Sequence, residues 1–172
     1  DEKVAEAASK GGVLWMPPFN HNDIIAGQGT AALEAIGQTG EVDSVFVPVG
    51  GGGLVSGTLI STRALLPNAS VNGVEPLVAN DAAESLRKGV IQSLPEQPNT
   101  LADGAATLQV GEITFSHLKA LNGFYEVNET HIAYWTQWLQ HLLKIHVEPT
   151  CAMCMGGVVE WLKSQTSEQK VL

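Results

Sequence analysis

Four consecutive glycines are the part of this sequence with the clearest chemical potential. They occupy residues 50–53, between the β-branched run VFVPV at 45–49 and the helix-like run that begins at 54. Glycine loses more conformational freedom on folding than other residues, so four together imply that side chains must be kept away. A glycine loop that opens a helix offers unpaired N–H groups and a partial positive charge, which attract phosphate. No Lys or Arg occurs between Lys10 and Arg63, so we expect backbone amides to hold such an anion.

The two commonest nucleotide-binding motifs do not match this loop. In the pattern G-x-G-x-x-G, the third glycine position is occupied by Ser56. Gly52 and Gly57 have the spacing of the phosphate-binding loop G-x-x-x-x-G-K, but Thr58 stands where its lysine is required. A tight strand–helix turn without any ligand remains the alternative interpretation.

Alternating apolar runs predict the elements that must position the loop. Strands are predicted over 13–16, 44–49, 70–76 and 124–127, and helices over 1–10, 24–38, 54–66, 79–89, 113–121, 128–145 and from 149 to about 164. We expect Asn22 or Asp23 to cap the second helix, and Asn128 or Thr130 to cap the long one. The alternation indicates one α/β domain, with an open, mostly parallel sheet and helices on both faces.

Composition excludes several classes of protein. The net charge is −9, which argues against binding to nucleic acid or to anionic lipid. Apolar runs are far shorter than the roughly 18 to 20 residues of a membrane span. Two cysteines do not make a disulfide framework, which favours a reducing compartment and, most simply, the cytoplasm. The sequence starts at Asp1 rather than Met and ends in the strand-like EQKVL, so we expect a piece of a longer protein.

Five segments in chain order resemble the fold-type II pyridoxal-phosphate enzymes. They are IIAGQGTAALE at 24–34, VFVPVGGGGLVSG at 45–57, VNGVEP at 71–76, TLADGA at 100–105 and VEPTCA at 147–152. The nearest branch is the serine/threonine dehydratases, which includes serine racemase and threo-3-hydroxyaspartate dehydratase. The resemblance implies that residues 1–172 are part of the large domain, and that the whole enzyme is a homodimer acting on a small amino acid.

The resemblance also implies which residues contact the cofactor. In the family the four glycines and the next amide cradle the phosphate, the ADG segment passes near the cofactor, and the glutamate of E-P-[ST] lies near its ring. The implied cofactor-binding residues are Gly50, Gly51, Gly52, Gly53, Leu54, Gly104 and Glu148. For Glu148, a solvated residue at a helix start is the alternative.

A divalent cation is implied next to the cofactor. Members similar to serine racemase hold it with a Glu, a backbone carbonyl four residues later and an Asp two further on. The segment EPLVAND supplies Glu75, Ala79 and Asp81 at that spacing. Oxygen ligands suit Mg²⁺, Ca²⁺ or Mn²⁺. The alternative is a glutamate at a strand end followed by an aspartate that caps a helix.

The catalytic lysine of the family is not found in this chain. Pyridoxal chemistry needs a lysine, and the family carries it in a motif resembling S-x-K-x-R-G that none of the lysines here matches. We therefore expect most of the small domain and the lysine segment to be missing, no catalytic residue in 1–172, and no dehydratase activity of this chain alone. A non-catalytic module that binds phosphate or an effector, and a structural self-association domain, remain alternatives.

Two further patterns carry weaker hypotheses. Cys151 and Cys154 form a C-x-x-C that lacks the second ligand pair of a zinc site, so a redox dithiol or two core or subunit-facing cysteines are the options. An apolar stripe at helical spacing indicates a core or an interface. Its members are Trp135, Trp138, Leu139, Leu142 and Leu143.

Overall fold

The computed structural model describes residues 2–13 and 15–172. Within them, three parallel strands form one sheet in the order β1 (Ser44–Pro48), β2 (Ser70–Pro76) and β3 (Gly123–Val127). The end of the chain joins the other edge of β1, where Ser44 forms a parallel bridge with Val171. The Phe46 N–H donates to the Leu172 carbonyl at 2.8 Å. The strand-like character predicted for the last residues is thus confirmed as a short extension of the sheet.

Eight helices accompany these strands in the described residues. They are α1 (Glu2–Ser9), α2 (Asn22–Thr39), α3 (Gly53–Leu65), α4 (Asp81–Lys88), α5 (Glu112–Leu118), α6 (Glu129–Leu143), α7 (Pro149–Ala152) and α8 (Cys154–Leu162). Two short 3₁₀ turns lie at Leu77–Ala79 and Asp103–Ala105. None of the helices described here has the length and hydropathy needed to cross a bilayer.

Side-chain alternation along β1 divides the core between the two faces of the sheet. Val45 and Val47 join a cluster that includes residues of α3 and α5. Phe46 points to the opposite face, where it joins a cluster that includes residues of α6 and α8. Successive strand residues face opposite sides, so each face needs its own covering layer. The predicted parallel sheet with helices on both faces is confirmed.

Helices α2 and α3 approach each other at two glycines. A Cβ built on Gly57 would lie 2.3 Å from the Ile25 carbonyl oxygen and 2.4 Å from the Gly29 nitrogen. The Ser61 hydroxyl donates to the Gly29 carbonyl at 2.8 Å across the same contact. Backbone against backbone leaves no room for a side chain, so α2 fixes the position of α3 and of the loop that precedes it.

Several local predictions differ from the structure. The strand predicted over 13–16 is wrong for Val13, Trp15 and Met16, which lie in irregular chain with no strand beside them, while Leu14 lies outside the described residues. The N-cap of α2 is His21 rather than Asn22 or Asp23, since its imidazole Nδ1 accepts from the Asp23 N–H at 3.2 Å. The predicted final helix is two helices, α7 and α8, with Met153 between them.

The apolar stripe on α6 is mostly exposed. Ile132 is the buried residue of this helix, whereas Trp138, Leu142 and Leu143 are 44%, 62% and 55% exposed. The core interpretation of the stripe is therefore wrong for these three residues, and the interface interpretation stays a prediction. The Asn128 cap of α6 is confirmed, because its side chain accepts from the His131 N–H at 2.9 Å.

Candidate functional site

The glycine loop connects the end of β1 to the first turn of α3. Val49 still pairs with β2, donating to the Val74 carbonyl at 2.8 Å, and α3 begins at Gly53. Gly52 has φ 90° and ψ 3°, a left-handed conformation that favours glycine. The loop therefore reverses direction within three residues and enters the helix directly.

The loop carbonyls are engaged away from the helix N-terminus. The Gly51 carbonyl accepts from the Thr114 hydroxyl at 2.7 Å. The Gly52 carbonyl accepts from the Ser56 N–H at 3.1 Å and from the Ser56 hydroxyl at 2.6 Å. In the described part of the chain, no acceptor takes a hydrogen bond from the N–H groups of residues 50–54. These amides lie at the positive end of α3, where the helix favours an anion.

Thr114 on α5 holds the loop in this conformation, and the sequence patterns did not indicate it. Its side chain is fully buried, accepts from the Gly111 N–H at 3.0 Å and donates to Gly51. The nearby Asn20 Oδ1 accepts from the Ile113 N–H at 2.9 Å, which ties the loop before α2 to the start of α5. A threonine three residues after a helix-start glycine is the local signal that could have indicated this role.

Replacing Thr114 with valine tests this support. The Gly51 carbonyl loses its hydroxyl donor, and the Gly111 N–H keeps only a long 3.4 Å contact with Gly51. We expect the free energy of unfolding to fall by about 2 kcal/mol, the cost of leaving buried polar groups unpaired. Urea denaturation measures this change. The control is Thr114→Ser, which keeps the hydroxyl and removes the methyl group. An undiminished stability of Thr114→Val, or a larger loss in Thr114→Ser, would contradict the role of the hydrogen bond.

All seven predicted cofactor-binding residues line one cavity of about 550 Å³. It is bounded by the glycine loop with Leu54, by Gly104 and by Glu148, from three separate parts of the chain. Its other lining residues, for which the sequence indicated no role in binding, are Pro18, Phe19, Gln28, Pro48, Thr107, Thr150 and Cys151.

Close backbone contacts explain why glycine occupies several of these positions. A Cβ on Gly50 would lie 3.0 Å from the Gly104 carbonyl oxygen, and a Cβ on Gly104 would lie 3.0 Å from the Thr150 hydroxyl. The Gly104 N–H donates to that hydroxyl at 3.1 Å. A Cβ on Gly51 would overlap the Phe19 ring at 2.2 Å. The cavity wall is therefore largely backbone, as close approach to a ligand phosphate requires.

The predicted cation-binding residues lie at the end of β2 and the start of α4. Glu75 and Asp81 are each only 1% exposed. Glu75 accepts from the Ala83 N–H at 2.7 Å and from the Ala82 N–H at 3.3 Å, so the strand-end glutamate, not Asp81, caps α4. Asp81 Oδ2 is buried, with no hydrogen-bond partner among the residues that the structure describes.

Burial dominates the electrostatics of this pair. It raises the pKa of Glu75 to about 9, despite the two N–H donors, and the pKa of Asp81 to about 7. A buried carboxylate oxygen without a partner is unfavourable, and a hard cation is one group that would satisfy it. Across residues 2–13 and 15–172, no cluster of three or more His, Cys, Asp or Glu side chains suits a metal. The predicted set, two carboxylates and the Ala79 carbonyl, stays a prediction.

Comparison with known proteins decides the family. The family model described as "Pyridoxal-phosphate dependent enzyme" matches residues 1–172. The chain belongs to this family. Its fold-type II resemblance is confirmed by a solved structure, the T.th. threonine deaminase, with a TM-score of 0.90 and 38% identity over 98% of this chain and 62% of that one.

Curated relatives of this chain fall in the predicted branch. This chain is 37% identical over 155 residues to L-threo-3-hydroxyaspartate ammonia-lyase of Saccharomyces cerevisiae, and the match covers 90% of this chain and 47% of the relative. It is 40% identical over 151 residues to serine racemase of Schizosaccharomyces pombe, covering 87% and 46%. The chain thus spans about half the length of the curated relatives that it matches.

Glu148 and Cys151 complete the cavity of this chain. Glu148 is exposed at the N-cap position of α7, and its Oε1 accepts from the Cys151 thiol at 3.6 Å. Burial and then Glu148 raise the pKa of Cys151, and burial raises the pKa of Cys154 to about 12. A raised pKa leaves less thiolate at neutral pH, which argues against a redox dithiol. Cys151 is an exposed cavity residue rather than a core residue.

Proposed function

We propose that the protein containing this chain is a pyridoxal-phosphate dependent ammonia-lyase. Its substrate is a small β-hydroxy amino acid such as serine, threonine or 3-hydroxyaspartate, and its products are ammonia and a 2-oxo acid. The observation that carries the proposal is the cavity in which the glycine loop, Gly104 and Glu148 meet. Family membership and similarity to ammonia-lyases support it.

Each part of the chain has a defined task in this proposal. The N–H groups of residues 50–54 bind the cofactor phosphate, and Thr114 keeps the Gly51 carbonyl turned away from it. Gly104 and Glu148 line the same cavity, where they would bring backbone and a carboxylate close to the bound cofactor. When bound, pyridoxal phosphate supplies the electron-withdrawing ring that stabilises the negative charge left by removal of the substrate α-proton.

We assign no proton-transferring residue of the lyase to this chain. None of its seven lysines lies in the S-x-K-x-R-G context, and none lines the 550 Å³ cavity. The expected outcome is that the 172-residue chain releases no ammonia from serine or threonine. The measurement is a coupled ammonia assay with pyridoxal phosphate present; steady release by this chain would contradict the assignment.

The proposed function is tested on the protein in its full natural length. Incubation with L-serine, L-threonine and threo-3-hydroxyaspartate is expected to yield equal amounts of ammonia and 2-oxo acid from at least one of them. Omission of pyridoxal phosphate from cofactor-stripped protein is the control. Absence of both products from all three substrates would overturn the ammonia-lyase proposal.

Racemisation is the second candidate, because several similar proteins are serine racemases. Both reactions begin with removal of the same α-proton and differ in whether the hydroxyl leaves or a proton returns. Chiral chromatography of the serine incubation distinguishes them. Accumulation of D-serine without ammonia would support racemisation over elimination.

We also propose that Glu75, the Ala79 carbonyl and Asp81 hold Mg²⁺, Ca²⁺ or Mn²⁺. The unpartnered Asp81 Oδ2 and the burial of both carboxylates support this. Such a cation neutralises two acidic groups that would otherwise need protons in a dry site. It adds rigidity where β2 turns into α4.

Cation binding should stabilise the protein more at pH 8.5 than at pH 6.5. The pKa of folded Glu75, about 9, lies above its ordinary value of 4.5, so the cation-free fold retains a proton and loses stability as pH rises towards 9. A cation displaces that proton, so its apparent affinity rises over the same range. Thermal unfolding with and without Mn²⁺ measures the effect. Asp81→Asn should abolish it; an unchanged cation effect in this variant would contradict the assigned ligand.

We further propose that the whole protein is a cytoplasmic homodimer. Two free cysteines and the exposed apolar stripe on α6 support this proposal. Sedimentation analysis of the full-length protein tests the dimer, and a monomer at micromolar concentration would overturn it.

A further inference from the structure

Asn80 lies between the two proposed ligands that follow β2. Its neighbours are Ala79, whose carbonyl is a proposed ligand, and Asp81, the first residue of α4. Its backbone, with φ −97° and ψ 34°, belongs to neither the 3₁₀ turn nor the helix. The side chain extends out of this segment to β3, where Nδ2 donates to Glu126 Oε1 at 2.8 Å. One hydrogen bond therefore connects the ligand-bearing turn to the neighbouring strand.

Glu126 lies directly beside Glu75 in the sheet. The two residues are paired in the parallel register of β2 and β3. Residues so paired project on the same face of a sheet, so a third carboxylate, in addition to Glu75 and Asp81, lies next to the proposed cation site. Glu126 does not remain free, however, because Asn80 and an arginine on α4 occupy its oxygens.

Arg87 binds Glu126 with both terminal nitrogens of its guanidinium group. Nη1 donates to Oε2 at 2.6 Å and Nη2 donates to Oε1 at 3.1 Å, a paired geometry that gives orientation as well as attraction. Arg87 holds the pKa of Glu126 below its usual range, so this carboxylate stays ionised and oriented. Arg87 also bonds Glu84 on its own helix at 2.7 Å, which fixes its position.

We infer that Asn80, Glu126 and Arg87 form a positioning cluster that sets the cation affinity of the Glu75–Asp81 site. The cluster connects the turn at 79–81 to β3 and to α4, and so holds the Ala79 carbonyl and the Asp81 carboxylate in place. Its members do not contact the cation. The inference rests on the proposed cation site and adds the residues that preorganise it.

Electrostatics and positioning predict opposite results for one substitution. Arg87→Gln removes a positive charge near the site, which by electrostatics alone would increase cation affinity. It also breaks the paired contact with Glu126, which by positioning decreases affinity. Lys88→Gln is the matched control, because it removes the same charge from the next residue. The Lys88 ammonium group pairs with Glu84 and donates a hydrogen bond to Gln92, and it forms no ion pair or hydrogen bond with Glu126.

The test measures Mn²⁺ affinity of the full-length protein by isothermal titration calorimetry. We expect Asn80→Ala and Arg87→Gln each to weaken binding by roughly tenfold, the equivalent of one lost hydrogen bond to a charged group, and Lys88→Gln to leave it unchanged or slightly tighter. The double variant Asn80→Ala/Arg87→Gln should bind Mn²⁺ no more weakly than the weaker-binding single variant, because the two substitutions disrupt the same cluster. Arg87→Lys, which keeps the charge but loses the paired geometry, should give an intermediate loss.

Circular dichroism and cation-free thermal unfolding accompany each variant. A fall in the cation-free midpoint with unchanged Mn²⁺ affinity would show that the cluster only ties α4 to the sheet, which overturns the inference and leaves the cation proposal intact. Tighter binding by Arg87→Gln would equally overturn it. If the unmodified protein binds no Mn²⁺, Mg²⁺ or Ca²⁺, both the inference and the cation site are wrong, while the cofactor proposal is unaffected.

Discussion

Replacing Gly57 with alanine is expected to lower the free energy of unfolding by about 3 kcal/mol, the upper part of the range for overpacked interiors. The new methyl group would lie 2.3 Å from the Ile25 carbonyl oxygen and 2.4 Å from the Gly29 nitrogen. Both are backbone atoms, so no side chain can rotate away, and α2 must shift from α3 as a whole. Because α3 starts at the glycine loop, the same shift should disturb the anion site.

Gly27→Ala is the matched control for this substitution. It lies on α2 within one turn of Gly29, but a Cβ there has no neighbour within 4 Å. Alanine at an exposed helical position should stabilise the protein by about 0.5–1 kcal/mol. Guanidinium denaturation of both variants provides the measurement. Equal stabilities for the two would contradict the close helix contact.

Replacing Gly52 with alanine should weaken the binding of phosphate and pyridoxal phosphate by at least about tenfold, since the loss of one or two aligned amide donors costs that much. Two effects combine at this position. The backbone has φ 90°, and a Cβ would lie 2.9 Å from Thr114 Cβ. The loop must therefore move off α5, and the amides of residues 50–54 no longer converge.

Gly89→Ala separates strain from binding in this experiment. Gly89 has φ 72° and ψ 7°, close to the Gly52 conformation, but a Cβ there meets no atom within 4 Å. The Gly89→Ala substitution should lower the free energy of unfolding by about 1–2 kcal/mol, because alanine is strained in left-handed backbone. It should leave the affinity for the anion unchanged. Equilibrium dialysis with pyridoxal phosphate compares the two. Similar affinities in both variants would exclude a role for the Gly52 loop in binding.

The sequence was sufficient for the features that local patterns determine. Four glycines after a β-branched strand predicted a strand–loop–helix unit, and alternation of strands and helices predicted the parallel sheet. The strand–loop–helix unit and the sheet depend on spacing within the chain, which periodicity and turn chemistry report directly. Glu148 and Gly104 were implied by the family resemblance of the E-P-T and A-D-G segments, and the structure brings both to the glycine loop.

Features that depend on distant contacts could not be predicted in this way. Thr114 acts on Gly51, and Phe19 fills the space beside it, although both are far from the loop in sequence. The helix caps show the same limit, because α4 is capped by Glu75 from the preceding strand rather than by its own first residue. The exposure of Trp138 and Leu142 likewise follows from which neighbours α6 has, not from its pattern.

The central claim, that backbone amides of the glycine loop bind the cofactor phosphate, is tested most directly by amide NMR. The full-length protein is labelled with [¹⁵N]glycine and titrated with pyridoxal phosphate and, separately, with inorganic phosphate. We predict saturable shifts of the Gly50, Gly51, Gly52 and Gly53 signals with both ligands, while Gly27 and Gly37 stay unchanged. Binding that leaves the four loop glycines unperturbed, or shifts only glycines elsewhere, would contradict the claim.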